Sequence, residues 1–162
     1  MKWMFLLLAA FASGAHAQTY GDWIVSASDD GSVITAETSN DSGGSFGLMC
    51  FVDDGKCVWA LITNQVCEDG GEYPVMANAK SGAYFFNLLC SNKSGSPVLV
   101  FKNFQDVENL VNKNERVGFA VPMLDGMFRV VRFSLLGSTQ AAKQANDSAQ
   151  RLHKTSTLDL KL

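Results

Sequence analysis

Outside the first seventeen residues, the side chains with chemistry to offer are four cysteines, one histidine and two small groups of carboxylates. The cysteines are Cys50, Cys57, Cys67 and Cys90. Their spacings of six, nine and twenty-two intervening residues lack the close C-x₂₋₄-C pairs that zinc uses. They also lack the C-x-x-C pair that lowers a thiol pKa for exchange. Structural disulfides are the expected use, and no metal site is assigned. Four cysteines allow three connectivities. Cys50–Cys57 with Cys67–Cys90 is preferred because Asp53-Asp54-Gly55 turns the chain between the first two. A turn centred on Asp54-Gly55 would instead set Cys50 opposite Trp59, so this pairing then requires a bulge or a longer loop.

The histidine is His153, near the C-terminal end. Nucleophilic catalysis by Ser or Cys needs an oriented imidazole to move a proton. A tail histidine is poorly placed for that, so no catalytic residue is assigned and no enzyme is expected. Asp53, Asp54, Glu68, Asp69 and Glu72 sit in two cysteine-flanked loops. Paired acids could hydrolyse a glycoside or bind calcium. Asp and Gly also populate turns because they tolerate turn dihedrals, and that is the expected role here. No phosphate-cradling glycine loop with a following Lys-Ser/Thr is present, and no cofactor is expected.

These residues lie on a chain built for export. Lys2 precedes an apolar run from Trp3 to Ala12, and Ala15-His16-Ala17 supplies small residues for cleavage before Gln18. The run is shorter than the roughly 20 residues of a spanning helix. Residues 1–17 therefore read as a signal peptide, and a periplasmic or secreted location is expected. Removing them from the 162 leaves 145 residues, enough for one domain with a core. The whole chain has 13 basic and 16 acidic residues, and removing Lys2 with the signal leaves net −4. That balance argues against nucleic-acid binding, which needs clustered Lys and Arg. No stable membrane span is expected.

Short β-rich runs separated by turn signals must position these groups. Strands are predicted at Tyr20–Ala27, Ser32–Thr38, Phe46–Val52, Cys57–Thr63, Val75–Asn78, Gly82–Cys90, Pro97–Lys102, Val117–Val121 and Met127–Leu136. Arg129 and Arg132 then fall on opposite faces of the last. The loop from Ser39 to Ser45 has nothing to pack and is expected to be mobile. Phe104, Val107, Leu110 and Val111 mark a short helix capped by Asn103. An alanine-rich helix follows from Ser138 to Leu152, and residues 153–162 are expected to form a flexible tail. The predicted fold is mainly β: an antiparallel β-sandwich or partly open barrel, disulfide-stapled, with one or two short helices, as a single domain over residues 18–152. Trp23, Trp59, Phe85, Phe86, Phe101, Phe119, Phe128 and Phe133 are expected in its core. Tyr20 and Tyr73-Pro74 are the candidates for an exposed patch.

Gly21-Asp22-Trp23-Ile24-Val25 near the mature start, Gly118-Phe119-Ala120, and Phe133-Ser134-Leu135-Leu136-Gly137 through Ala141-Ala142 resemble the invasion-associated locus B family of bacterial envelope proteins. The resemblance covers most of the mature chain in order of features. It departs at Ser26 and Ala27, near which the family often has a cysteine. It implies a β-rich, non-catalytic periplasmic or surface protein with a role in host-cell interaction, and no catalytic residue to carry over. The expected function is thus binding of a protein or envelope component. The alternatives are an exported inhibitor of a hydrolase such as lysozyme, with Ser39–Ser45 or Cys67–Glu72 as its loop, and a carboxylate hydrolase or calcium-dependent binder.

Overall fold

A computed structural model describes residues 17–63, 67–92, 97–122 and 126–159. All but Ala17 of the expected signal peptide lies outside them. Ten strands form one antiparallel sheet in the order β1-β2-β3-β4-β5-β8-β7-β6-β9-β10, which does not close into a barrel. The strands are β1 (Gln18–Tyr20), β2 (Trp23–Ala27), β3 (Val33–Ser39), β4 (Ser45–Phe51), β5 (Cys57–Ile62), β6 (Glu72–Ala79), β7 (Gly82–Ser91), β8 (Val98–Phe101), β9 (Arg116–Pro122) and β10 (Phe128–Ser134). Helix α1 (Phe104–Lys113) links β8 to β9, and α2 (Ser138–Asp159) follows β10. The predicted first strand is two strands, because Gly21-Asp22 turns the chain with Gly21 at a left-handed φ of 56°.

Alternation along the strands sends one set of side chains into a single core. Phe46 sits at its centre, with ring centroids 5.1–5.9 Å from Trp23, Trp59, Phe101, Phe119 and Phe133. Each such pair adds about 0.5–1.5 kcal/mol beyond area burial. Phe85 and Phe128, expected in this core, are 81% and 67% exposed. Pleating decides it: Phe86 takes the inward position next to Phe85, and Val131 and Phe133 take the inward positions of β10.

Helix α1 buries Val107, Leu110 and Val111. Asn103 stands at its N-cap without bonding a free backbone amide; its side chain donates to Asp106 instead. Helix α2 buries Ala141, Ala145 and Ala149 completely and lies against β1–β4. Alanines four apart form one small-residue stripe, so the helix backbone approaches the sheet closely. The helix continues past Leu152, and residues 153–159 are helical rather than a loose tail. Gln150 Nε2 donates to Gly55 O at 2.6 Å, and His153 Nδ1–H donates to Val52 O at 3.0 Å. These bonds hold a Ser/Thr-rich stretch of modest helix propensity against the β4–β5 turn.

Candidate functional site

Both disulfides form with the expected pairing. Cys50 and Cys57 are direct cross-strand partners with Cα atoms 4.0 Å apart. The turn is centred on Asp53-Asp54, so neither a bulge nor Trp59 stands opposite Cys50. Cys67–Cys90 ties the approach to β6 onto the end of β7, with Cα atoms 6.1 Å apart. Between its cysteine and β6, the Cys67 loop is pinned by Gly70 N–H to Cys90 O, Cys90 N–H to Gly71 O, and Glu68 N–H to Tyr73 Oη. Tyr73 is thereby partly buried, and Tyr20 packs on the core; of the predicted exposed trio only Pro74 stays exposed.

The carboxylates do not converge. Asp53 and Asp54 occupy the β4–β5 turn, whereas Glu68, Asp69 and Glu72 lie beside the last residues of β7. With β5 running from Cys57 toward Ile62, next to Leu99 and thus Cys90, the two loops sit at opposite ends of the sheet. Asp53 Oδ1 accepts Asp54 N–H, and Asp54 Oδ1 accepts Lys56 N–H at 2.9 Å. That backbone bond, with the Lys56 ammonium, holds the Asp54 carboxyl below its usual range. These acids shape a turn, as expected from their dihedral tolerance. Among the described residues, no three His, Cys, Asp or Glu side chains come together as a metal-ligating group. His153 meets a carbonyl rather than a serine. The Ser39–Ser45 loop is a tight hairpin connection rather than a loose one: Asn40 Oδ1 accepts from Ser42 and Gly44 N–H, and Asn40 N–H donates to Gly44 O.

What the structure does bring together is the outer face of β7, β6, β9 and β10. Cross-strand register aligns Phe85, Met76, Ala120 and Val130 in one row. At 4.8 Å per strand the row spans roughly 14 Å. Phe85 is 81%, Val130 50% and Met76 44% exposed, and Phe128 with Pro74 extends the apolar area on one side. The next outward row on the other side is Asn78, Gly118 and Arg132, with Lys80 and Arg116 beyond it. Two adjoining hollows of about 900 and 720 Å³ cover this face and share Met76 and Ala120 as floor. Glycine at 118 and alanine at 120 keep that floor low between taller side chains. The side chains of Lys80, Arg116 and Arg132 make no hydrogen bond or ion pair within the described residues; Asp22 is the acid bordering the same hollow. At the apolar end, Lys102 Nζ pairs with Glu72 at 2.6 Å, an exposed contact worth little to stability.

Sequence reasoning placed Phe85 and Phe128 inside and so missed this face. Alternation sets Met76 with Asn78, and Phe85 with Asn87, on one side of their strands, but apolar residues such as Val75 and Phe86 stand on the other side too, so local pattern left the face unassigned.

An open antiparallel ten-stranded sheet, two disulfides and two helices define the class: a disulfide-stapled, mainly β protein with one apolar and cationic outer face. Among solved structures, it is similar to invasion associated protein B from Bartonella henselae, with a TM-score of 0.59 at 12% identity over 85% of this chain and 99% of that one. The likeness is one of fold, and it is the fold that the resemblance implied. No protein-family model and no curated protein matches the sequence. The first and last of the segments that carried the resemblance meet in space. Asp22 N–H donates to Leu136 O at 3.0 Å, and Trp23 Nε1–H donates to Ser134 O at 2.9 Å.

Proposed function

We propose that the chain is an exported, non-enzymatic envelope protein that binds another protein or an envelope component through the outer face of β6, β7, β9 and β10. One observation carries this reading: the apolar row Phe85–Met76–Ala120–Val130 faces solvent. Solvated apolar area of this kind is unfavourable, at about 25 cal/mol per Å², and a partner that covers it recovers that energy. Disulfides support an oxidising compartment. No helix of the described residues is long and apolar enough to cross a membrane. The fold neighbour's printed name associates that protein with invasion, which supports a role at the bacterial envelope and in host-cell contact.

The test is affinity capture from envelope extracts with the oxidised mature protein, beside Phe85→Ser and Met76→Ser. Both side chains are exposed, so the variants should keep the wild-type near-UV spectrum and lose the captured partner. Capture that survives both substitutions would refute this face as the binding surface. If the captured partners were only hydrolases, blocked on binding, the inhibitor alternative would replace the reading.

A further inference from the structure

The sheet has two edges, and they differ. β1 is three residues long and packs against α2. β10 is seven residues long, and β9 is the only strand laddered to it among the described residues. Its far end is occupied, because Ser134 O accepts Trp23 Nε1–H. Phe128 to Phe133 remain as an edge of six residues, roughly 20 Å long. Phe128, Arg129 and Val130 are all exposed, so neither face of this stretch is packed away. A long, partly apolar edge is a template for another strand.

The charges specify which strand. Arg129 and Arg132 project to opposite faces of β10, and neither side chain makes a hydrogen bond or ion pair within the described residues. β9 and β10 contain no acid, and Arg116 adds a third cation beside them. A second copy pairing through its own β10 would bring four arginines of the two edges together, and like charges across strands are destabilising. A bilayer meets one face and would engage Arg132 without Arg129. A strand lying along the edge meets both.

We propose that the β10 edge accepts an extended segment of a partner polypeptide as an eleventh strand. The segment carries acidic side chains opposite Arg129 and Arg132 and aliphatic ones opposite Phe128, Val130 and Val131. Backbone hydrogen bonds supply affinity, and alternating side chains supply selectivity. The inference rests on the protein being a binder and adds what it binds and along which line.

The probe is an end-capped, fluorescein-labelled peptide, Thr-Glu-Val-Val-Glu-Val-Thr, whose antiparallel pairing puts its two Glu opposite Arg132 and Arg129. Fluorescence anisotropy with the oxidised mature protein should show binding, and the same peptide with Lys for Glu should show none. Arg129→Glu and Arg132→Glu should each weaken binding roughly tenfold, and Arg129→Gln less. Phe85→Ser should leave it unchanged. Amide exchange along β10 should slow on binding. No binding by the Glu peptide, or equal binding by the Lys peptide, overturns the proposal. So does a loss confined to Arg132→Glu and Phe85→Ser, which would put the ligand on the outer face and leave the proposed function standing. Self-association through β10 without peptide would also overturn it. Peptide binding along β10, beside envelope capture indifferent to Phe85 and Met76, would refute the outer-face reading alone.

Discussion

Gly137 offers the sharpest check on how this fold closes. It connects β10 to α2 at a φ of 89°, in the left-handed region that a residue with a Cβ enters at a cost of about 1–2 kcal/mol. It also lies against the β1–β2 turn so closely that an added Cβ would fall on the carbonyl oxygen of Tyr20. Backbone cannot rotate aside as a flexible side chain can, and forced overpacking costs roughly 1–3 kcal/mol more. Gly137→Ala should therefore destabilise by about 3–4 kcal/mol, a large part of the 5–15 kcal/mol typical of a domain. For this size, that lowers the thermal midpoint by roughly 10 °C. Gly31→Ala is the control. Its φ of 70° carries the same conformational penalty, but nothing lies within 4 Å of the added methyl. It should cost about 1 kcal/mol, roughly 3 °C. Thermal and urea unfolding of the oxidised proteins, followed by circular dichroism, measures both. Equal losses in the two variants would show that the close approach at Tyr20 has no energetic consequence, and the reasoning would fail. Gly21→Ala, whose Cβ would meet Leu136 O at 2.5 Å across the same junction, should fall with Gly137→Ala.

Replacing each cysteine pair by alanine should cost unequal amounts. Chain entropy predicts about 3.4 kcal/mol for the Cys67–Cys90 span of 23 residues and about 2.4 kcal/mol for the Cys50–Cys57 span of 7, and urea midpoints should fall in that order. Trp23→Phe removes the Nε1–H that Ser134 O accepts and opens space in a fully buried site; equilibrium unfolding should show a loss of about 2–3 kcal/mol. Asp30 accepts hydrogen bonds from Ser28 Oγ, Ser32 N–H and Ser32 Oγ, which hold its carboxyl down to about 2 from an ordinary 3.8. A group whose folded pKa is depressed stabilises above its unfolded pKa and loses that contribution as pH falls through the folded one. Asp30→Asn should thus be less stable than wild type at pH 5, with the gap closing between pH 3.8 and 2 in acid titrations; a gap that stays constant would exclude this linkage.

Local pattern went far in this chain. Turn chemistry at Asp53-Asp54-Gly55 was enough to prefer the Cys50–Cys57 pairing, and alternation put Arg129 and Arg132 on opposite faces. Helical spacing located α1 from Phe104, Val107, Leu110 and Val111. Each of these depends on neighbours within a turn or a strand, where short-range geometry decides. Boundaries that depend on distant contacts came out differently. Nothing near His153 in sequence says that the helix goes on, because Val52 and Gly55, which anchor it, lie about a hundred residues away.

The composition and order of residues by themselves determined a mainly β chain with four paired cysteines. Those conclusions follow from residue type, period and spacing, which are properties of the chain before it folds. Tertiary structure alone decided which face of β6, β7, β9 and β10 meets water. A run such as Ala83-Tyr84-Phe85-Phe86 offers a hydrophobic residue to both faces, so pleat alternation cannot tell inside from outside. Strand order settles it: the core forms on one side of the sheet, and Phe85, Met76 and Val130 are left aligned on the other. Likewise, only strand order makes β10 an edge, because pairing is a long-range choice that no local propensity encodes.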